Sequence, residues 1–407
     1  MDIPDQIGTP LTPNATKVLL LGAGELGKEL AISFQRLGVE VHAADRYEGA
    51  PAQQVAHVPH LVDVSDGAAV LSLVDRVRPD YVVSEVDRVA ADALAEIEEA
   101  GTSCVVPSAK ACSLTVGREK IRRMASEELG LPTTAYRLAS TVEEYRAAVA
   151  EMGFPCIVKS TVSASGRSHS VVRSEGDVEP AWENSHRGPY ADADVMVERF
   201  VNFDYELSLL AARSIDPATG RMATWFSEPI GHLHRDGDLV ESWQPMEVNP
   251  RALENARSMA ARITNALGGR GLFGVEMFVA GEDVYFSSVS PRPHETGMVT
   301  LSSQRFSEFD LHVRAVLGMP VDMTLTSPGA CVLLHSSRES ETVSYSGIAE
   351  ALAVPEVDVR IFGKQGAYPR RRLGLVLATA EDVETARAQA REAAAAVTVN
   401  DGESDAD

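Results

Sequence analysis

The sequence predicts an α/β domain wound on a parallel sheet, then an α+β domain, then a small C-terminal module. Three observations carry this. Residues 17–22, KVLLLG, are an apolar run ending in glycine, followed by helical spacing over 25–37 and a second apolar run, VEVHAAD, at 39–45. Comparable units recur through HLVDV near residue 60, an amphipathic segment at 68–77, DYVVSEV at 80–86 and a helix at 90–100. Alternation of this kind implies parallel strands joined by crossover helices, because parallel neighbours need a long connection. Beyond residue 115 the pattern changes to strands separated by turns and fewer helices, and a further strand-rich stretch begins near Pro328.

Element by element, a helical stretch at 118–129 opens the second domain. PCIVKS at 155–160, SVVRS at 170–174 and VMVERFV at 195–201 follow as strands of an antiparallel sheet. The segment 204–229 is strand-like, GHLHRDGDL supplies hairpin glycines, and a helix at 251–267 precedes the strands FGVEMFV and DVYFSSV. VDVRIFGK and LGLVLATA are the strands of the last module. The expected division is 1–115, 116–327 and 328–399. The closing NDGESDAD, 400–407, is too acidic and apolar-poor to fold, so the sequence predicts a disordered tail.

Composition narrows the function. With 44% apolar and 24% charged residues the chain is of ordinary globular type, and no apolar run approaches the roughly 18–20 residues that span a bilayer. MDIPDQIGTPLTPNATK lacks the basic start and apolar core of a secretory signal, so a cytoplasmic protein is expected. A formal net charge of −22 argues against nucleic acid or an anionic membrane as partner. Cys104, Cys112, Cys156 and Cys331 are scattered without a C-x-x-C pair, which suggests buried residues and neither a disulfide framework nor a zinc site. Only six lysines stand against 31 arginines, yet Lys28, Lys159 and Lys364 all fall in motifs, which favours phosphate chemistry there.

Gly22-Ala23-Gly24-Glu25-Leu26-Gly27 fits G-x-G-x-x-G between a strand and a helix, and Asp45 ends the next strand, as in a dinucleotide site. The same turn serves any ligand that approaches a helix N-terminus. Glu25 inside it would repel a pyrophosphate and suit an amine. Lys159 ends a strand before the small-residue loop Ser163–Ser168, an arrangement that can grip phosphates, although a solvated strand end and a surface turn would read the same way. Glu198 and Glu206 follow, and Glu276 sits in the apolar run LFGVEMFV; a carboxylate there needs a partner, and Mg²⁺ is the expected one. In SPRPHETG two prolines stiffen the loop that carries Arg292 towards an anion, and Lys364 with Arg370, Arg371 and Arg372 forms a basic cluster suited to phosphate.

With these motifs in order, the chain resembles the formate-dependent phosphoribosylglycinamide formyltransferases, ATP-grasp enzymes of purine synthesis. The resemblance runs from GTPLTPNATKVLLLGAGELGKE through RLGVEVHAADRYEGAPAQQVAH, GLFGVEMF, SPRPHETGMVTL and RIFGK to RRRLGLVLATAE. It implies a nucleotide-fold N-terminal domain, a central ATP-grasp domain, a small C-terminal domain and a homodimer. It implies ATP on Arg118, Lys159, Ala164, Ser165, Gly166, Arg167, Ser168, His169, Glu198, Arg199, Phe200, Val201 and Glu206. Glycinamide ribonucleotide would meet Glu25, Leu26, Glu85 and Glu295, with its phosphate on Lys364, Arg371 and Arg372. Gly166 and Arg292 are the expected catalytic positions, and Glu276 the Mg²⁺ ligand. In the implied reaction ATP phosphorylates formate and the substrate amine attacks the formyl phosphate.

The chain departs from the family pattern at Ser288, where a second metal-binding glutamate is usual, at Glu295 in place of Asp, at Arg167-Ser168-His169 in place of Lys-Gly-Gln, and at Ser84 before Glu85. Losing one of two carboxylates weakens Mg²⁺ binding. Three alternatives therefore accompany the leading expectation: an ATP-grasp ligase redirected to another carboxylate or amine, a non-catalytic nucleotide-binding relative, and an NAD enzyme.

Overall fold

The computed structural model of the chain describes residues 6–162, 169–186, 193–235 and 237–400. The first sheet is parallel, with the strands ordered Val58–Leu61, Glu40–Asp45, Lys17–Leu21, Tyr81–Ser84, Cys104–Val106 across it. Lys17–Leu21 and Tyr81–Ser84 are its two middle neighbours, and the chain winds outwards from them in opposite directions. Beyond the carboxyl ends of such a pair a crevice opens, the usual ligand position in wound sheets. Glu25 begins the helix Glu25–Arg36 directly after the first of these strands, and Glu85 directly follows the second.

A four-stranded antiparallel sheet comes next, ordered Tyr136–Ala139, Val195–Arg199, Cys156–Ser160, His169–Val172. Helices Val142–Met152 and Val178–Ser185 close one face, and Tyr145, Val149, Cys156, Val158 and Val197 fill the layer between. Thr141 caps the first of these helices by accepting from the Glu144 N–H, which satisfies one of its orphan donors.

The largest sheet has nine strands. Among the described residues Asp283–Ser290, Gly271–Ala280, Tyr205–Ile215, Ile230–Arg235 and Asp238–Gln244 belong to the central region, Met222–Phe226 pairs with Tyr205–Ile215, and Gly329–His335, Arg372–Thr379 and Val357–Ile361 continue the same sheet. The strands of the small C-terminal module extend the central sheet. The hairpin strand Asp238–Gln244 would otherwise expose a row of unpaired backbone groups, and Gly329–His335 covers it with Ser242 opposite Cys331. Helix Pro250–Leu267, started by Asn249 and a proline in its first turn, packs Met259, Ile263 and Leu267 against Phe273, Val275 and Met277.

One apolar cluster joins the regions: Leu30 and Phe34 of the first helix, Leu210 of the long strand, Leu311 and Val313 of helix Glu308–Val316, and Leu375 near the C-terminus. That shared core sets Glu25 against the C-terminal cations. Asn400, assigned to a disordered tail by sequence, instead ends the strand Thr398–Asn400, which pairs with Ser344–Ser346; Val399 opposite Tyr345 gives it the ladder its composition did not reveal. Residues 401–407 lie outside the described residues.

Candidate active site

The glycine turn holds a carboxylate. A Cβ on Gly22 would lie 2.8 Å from Glu85 Oε2, one on Gly24 3.3 Å from Glu85 Oε1, and one on Gly27 3.6 Å from the Glu85 carboxyl carbon. All three glycines of the fingerprint thus make room for Glu85, and Gly22 also needs its φ of 103°. The Gly27 N–H donates to Glu85 Oε1 at 3.2 Å, and Glu85 Oε2 has no hydrogen-bond partner among the described residues. Asp45, the acid that a dinucleotide site would turn to a ribose, accepts from the Ala23 N–H at 2.9 Å and braces the turn. Glu85 fills the turn and Asp45 is engaged within it, so the NAD alternative loses its two key groups.

Glu25 faces Glu85 across this crevice. Lys364 Nζ is 2.8 Å from Glu25 Oε2 and Arg372 Nη2 3.1 Å from Oε1. Burial pushes the Glu25 carboxyl up, but Lys364 and Arg372 outweigh it and bring its pKa down to about 2. Glu85 goes the other way. Burial and the Glu25 charge push it up to about 8, against the pull of Arg292. One carboxylate is ionised at neutral pH and its neighbour holds a proton. Arg372 also pairs with Glu295 through its other nitrogen, while Arg371 donates to the Gly366 carbonyl at 2.8 Å and stacks over Tyr368. Leu26 is half-buried beside Glu25 in the first helical turn. Of the substrate positions named from sequence, Glu25, Glu85, Glu295, Lys364 and Arg372 therefore converge, although they come from both ends of the chain, while Arg371 makes its contacts with Gly366 and Tyr368. Lys28 does not join them: its ammonium reaches the carbonyl of Phe362, 3.3 Å away.

A second constellation lies between the two antiparallel sheets. Lys159 Nζ is 2.5 Å from Glu198 Oε2, and Arg122 Nη2 is 2.5 Å from Glu198 Oε1. Glu198, inside the strand Val195–Arg199, is buried and held well below the usual carboxylate range: burial opposes ionisation, and Lys159 and Arg122 overcome it. Its charge positions Lys159. Arg118 starts the helix Arg118–Arg123, with its N–H on the Thr161 carbonyl at 2.9 Å, and His169 stands opposite Lys159 on the neighbouring strand. Arg199 is exposed at the strand end, and Phe200 and Val201 continue from it half-buried. Ala164, Ser165, Gly166, Arg167 and Ser168 lie outside the described residues.

Between these groups the sheet presents Glu276 and Ser288, directly opposed in register; Ser288 Oγ donates to Glu276 Oε2 at 2.6 Å. His294 Nδ1 is 3.8 Å from the other oxygen. Burial pushes Glu276 up, and His294, His232 and the Ser288 hydroxyl bring it below the usual range. Arg292 is buried and ion-paired with Asp87, two residues past Glu85. As for Mg²⁺, one ionised carboxylate beside a hydroxyl meets its preference for one or two carboxylates completed by phosphate oxygens and water.

Sequence reasoning did not single out Arg122, Asp87, His232 or His234. Arg122 is masked by the basic run REKIRR, where nothing distinguishes the buried arginine, and Asp87 gains meaning only by pairing with a residue 205 positions away. The H-x-H alternation of His232 and His234 on a strand was a legible signal.

Three family models match in order: the ribonucleotide synthetase preATP-grasp domain over residues 15–116, the ATP-grasp domain over 124–309 and the PurT C-terminal domain over 329–397. Fold and site together define an ATP-grasp enzyme. The formate-dependent phosphoribosylglycinamide formyltransferase of Corynebacterium glutamicum is 61% identical over 405 residues, 99% of each chain. Among solved structures, glycinamide-RNase-transformylase T from Mycobacterium tuberculosis superposes with a TM-score of 0.79 at 36% identity, covering 94% of this chain and 100% of that one. N5-carboxyaminoimidazole ribonucleotide synthetase from Thermus thermophilus gives a TM-score of 0.78 at 26% identity, over 95% and 100%. The chain belongs to the formate-dependent phosphoribosylglycinamide formyltransferase family. Among the described residues no helix is long and apolar enough to cross a membrane.

Proposed function

We propose that this chain uses ATP to formylate glycinamide ribonucleotide with formate through formyl phosphate, in purine synthesis. The observation that carries the reading is the Glu25–Glu85 pair at the sheet crevice, with Lys364, Arg371 and Arg372 alongside. An ammonium suits two facing carboxylates, and a phosphate suits three cations; a ligand carrying both fits this crevice. When the ammonium enters, its charge offsets the repulsion from Glu25 and Glu85 gives up its proton. The ionised Glu85 takes one proton from the ammonium to free the nitrogen lone pair, the nitrogen forms the bond to the formyl carbon as the carbon–oxygen bond to phosphate breaks, and the second proton leaves on the released phosphate.

ATP is assigned to Lys159, Arg118, His169 and Glu206, with the strand end Glu198–Val201 and the loop 164–168. Glu198 keeps the Lys159 ammonium ionised and aimed. Mg²⁺ would be held by Glu276, with Ser288 as a neutral neighbour, and when bound it neutralises phosphate charge. Arg292 is assigned to the acyl phosphate, where its guanidinium supports charge developing on the transferred group. The active form is proposed as a cytoplasmic homodimer.

The test is ADP release by the purified chain with MgATP, formate and glycinamide ribonucleotide. Release should need all three, and an Arg371→Ala, Arg372→Ala double variant should lose the ribonucleotide while binding ATP as before. ADP release indifferent to formate would overturn the reading.

A further inference from the structure

Glu206, His232 and His234 lie on one face of the nine-stranded sheet. Leu207 pairs with Gly231 and Ser208 with Ile230, a register that carries Glu206 opposite His232, and His234, past a register shift after Leu233, brings its ring to the same carboxylate. Ser208 is also opposite Glu276, so this face is continuous with the Glu276–Ser288 pair. Glu206 Oε2 is 3.7 Å from His232 Nδ1 and 3.4 Å from His234 Nδ1, and one ligand atom from each residue lies within 4.8 Å of the others. Ligand atoms at about 2.0–2.1 Å around a tetrahedral ion stand roughly 3.3 Å apart, so the cluster needs only a slight closure.

The second observation is His232 itself. Its side chain is 2% exposed, yet neither ring nitrogen has a hydrogen-bond partner among the described residues. A buried imidazole with both nitrogens unanswered is costly unless a ligand completes it. His234, 30% exposed, leaves the cluster open to solvent on one side, which gives an entry path and a position for water. Two imidazoles and one carboxylate are the donor set of zinc and similar borderline ions, whereas Mg²⁺ takes oxygen donors.

We propose that Glu206, His232 and His234 form a binding site for a divalent transition-metal ion of the zinc type, separate from the Mg²⁺ assigned to Glu276. The competition that follows rests on the reading of Glu206 as an ATP contact: an ion held by that carboxylate withdraws it from the nucleotide, so metal and ATP weaken each other's binding reciprocally.

The experiment titrates ZnCl₂ alone into the metal-free full chain by calorimetry, and CoCl₂ in parallel with visible absorption recorded. Wild type should bind with an intense tetrahedral Co²⁺ spectrum, and His234→Gln and Glu206→Gln, each folded by circular dichroism, should lose that spectrum and weaken Zn²⁺ binding by about tenfold or more. Absence of the spectrum in wild type, or its persistence in both variants, overturns the site. ATP titrated into the Zn²⁺-loaded chain should bind several-fold more weakly. If Zn²⁺ binds through these residues while ATP affinity is unchanged, the metal site stands and the assignment of Glu206 to ATP falls.

Discussion

Replacing Glu85 by Gln tests the carboxylate pair at its most exposed assumption, that a buried acid keeps its proton at neutral pH. In the unfolded chain Glu85 ionises near 4.5; folded, burial and Glu25 raise it to about 8. Between those values the folded state binds the extra proton, so its contribution to stability is fully present below 4.5 and is lost as pH rises through 8. The displacement corresponds to about 1.4 kcal/mol per unit, hence about 3 kcal/mol at pH 7 and about 5 kcal/mol above pH 8. Glutamine fills the same space, can still accept from Gly27, and does not titrate. Urea unfolding of both proteins from pH 5 to 9 should show the variant gaining on wild type as pH rises, with the gap levelling above 8. Glu25, with its pKa near 2, does not titrate in this window. In wild type, binding of glycinamide ribonucleotide at pH 7 should release about one proton, read by calorimetry in two buffers of different ionisation enthalpy, and the variant should release none. A stability gap that stays constant from pH 5 to 9 would refute the assignment of the proton to Glu85.

Gly22→Ala should be destabilising by about 1–3 kcal/mol, because the residue sits at φ 103° and a Cβ would meet Val86 Cγ1 at 2.5 Å; a thermal midpoint equal to wild type would show that the turn relaxes freely. Arg122→Ala leaves Glu198 buried without its Arg122 partner, and chemical denaturation should show a loss of about 3–5 kcal/mol, with Arg122→Lys recovering part of it. Ser288→Glu should lower the Mg²⁺ concentration that half-saturates ADP release, since it adds a carboxylate opposite Glu276; an unchanged Mg²⁺ dependence would place the ion elsewhere.

Much of this was legible in one dimension. The alternation of apolar runs and helical spacing up to residue 100 is local, and it specified the parallel sheet because a crossover helix leaves its period in the sequence. The oddity of Glu25 within a glycine fingerprint, the buried Glu276 and the C-terminal basic cluster could each be named from neighbours a few residues away. Their partners could not. That the three glycines make room for Glu85, that Lys364 and Arg372 neutralise Glu25, and that Arg122 completes the Glu198 pair all depend on residues tens to hundreds of positions apart.

The same division explains the C-terminal strands. Sequence determined that Val357–Ile361 and Arg372–Thr379 would be strands, since propensity and alternation act within a few residues, while Gly329–His335 is not singled out by it. Tertiary structure decided which edge they join, because the unpaired backbone of Asp238–Gln244 attracts a strand by hydrogen bonds that carry no side-chain signature. It also decided protonation: Glu25 and Glu85 are the same residue type, and only the placement of cations beside one and apolar burial with a like charge beside the other sends their pKa values to about 2 and about 8.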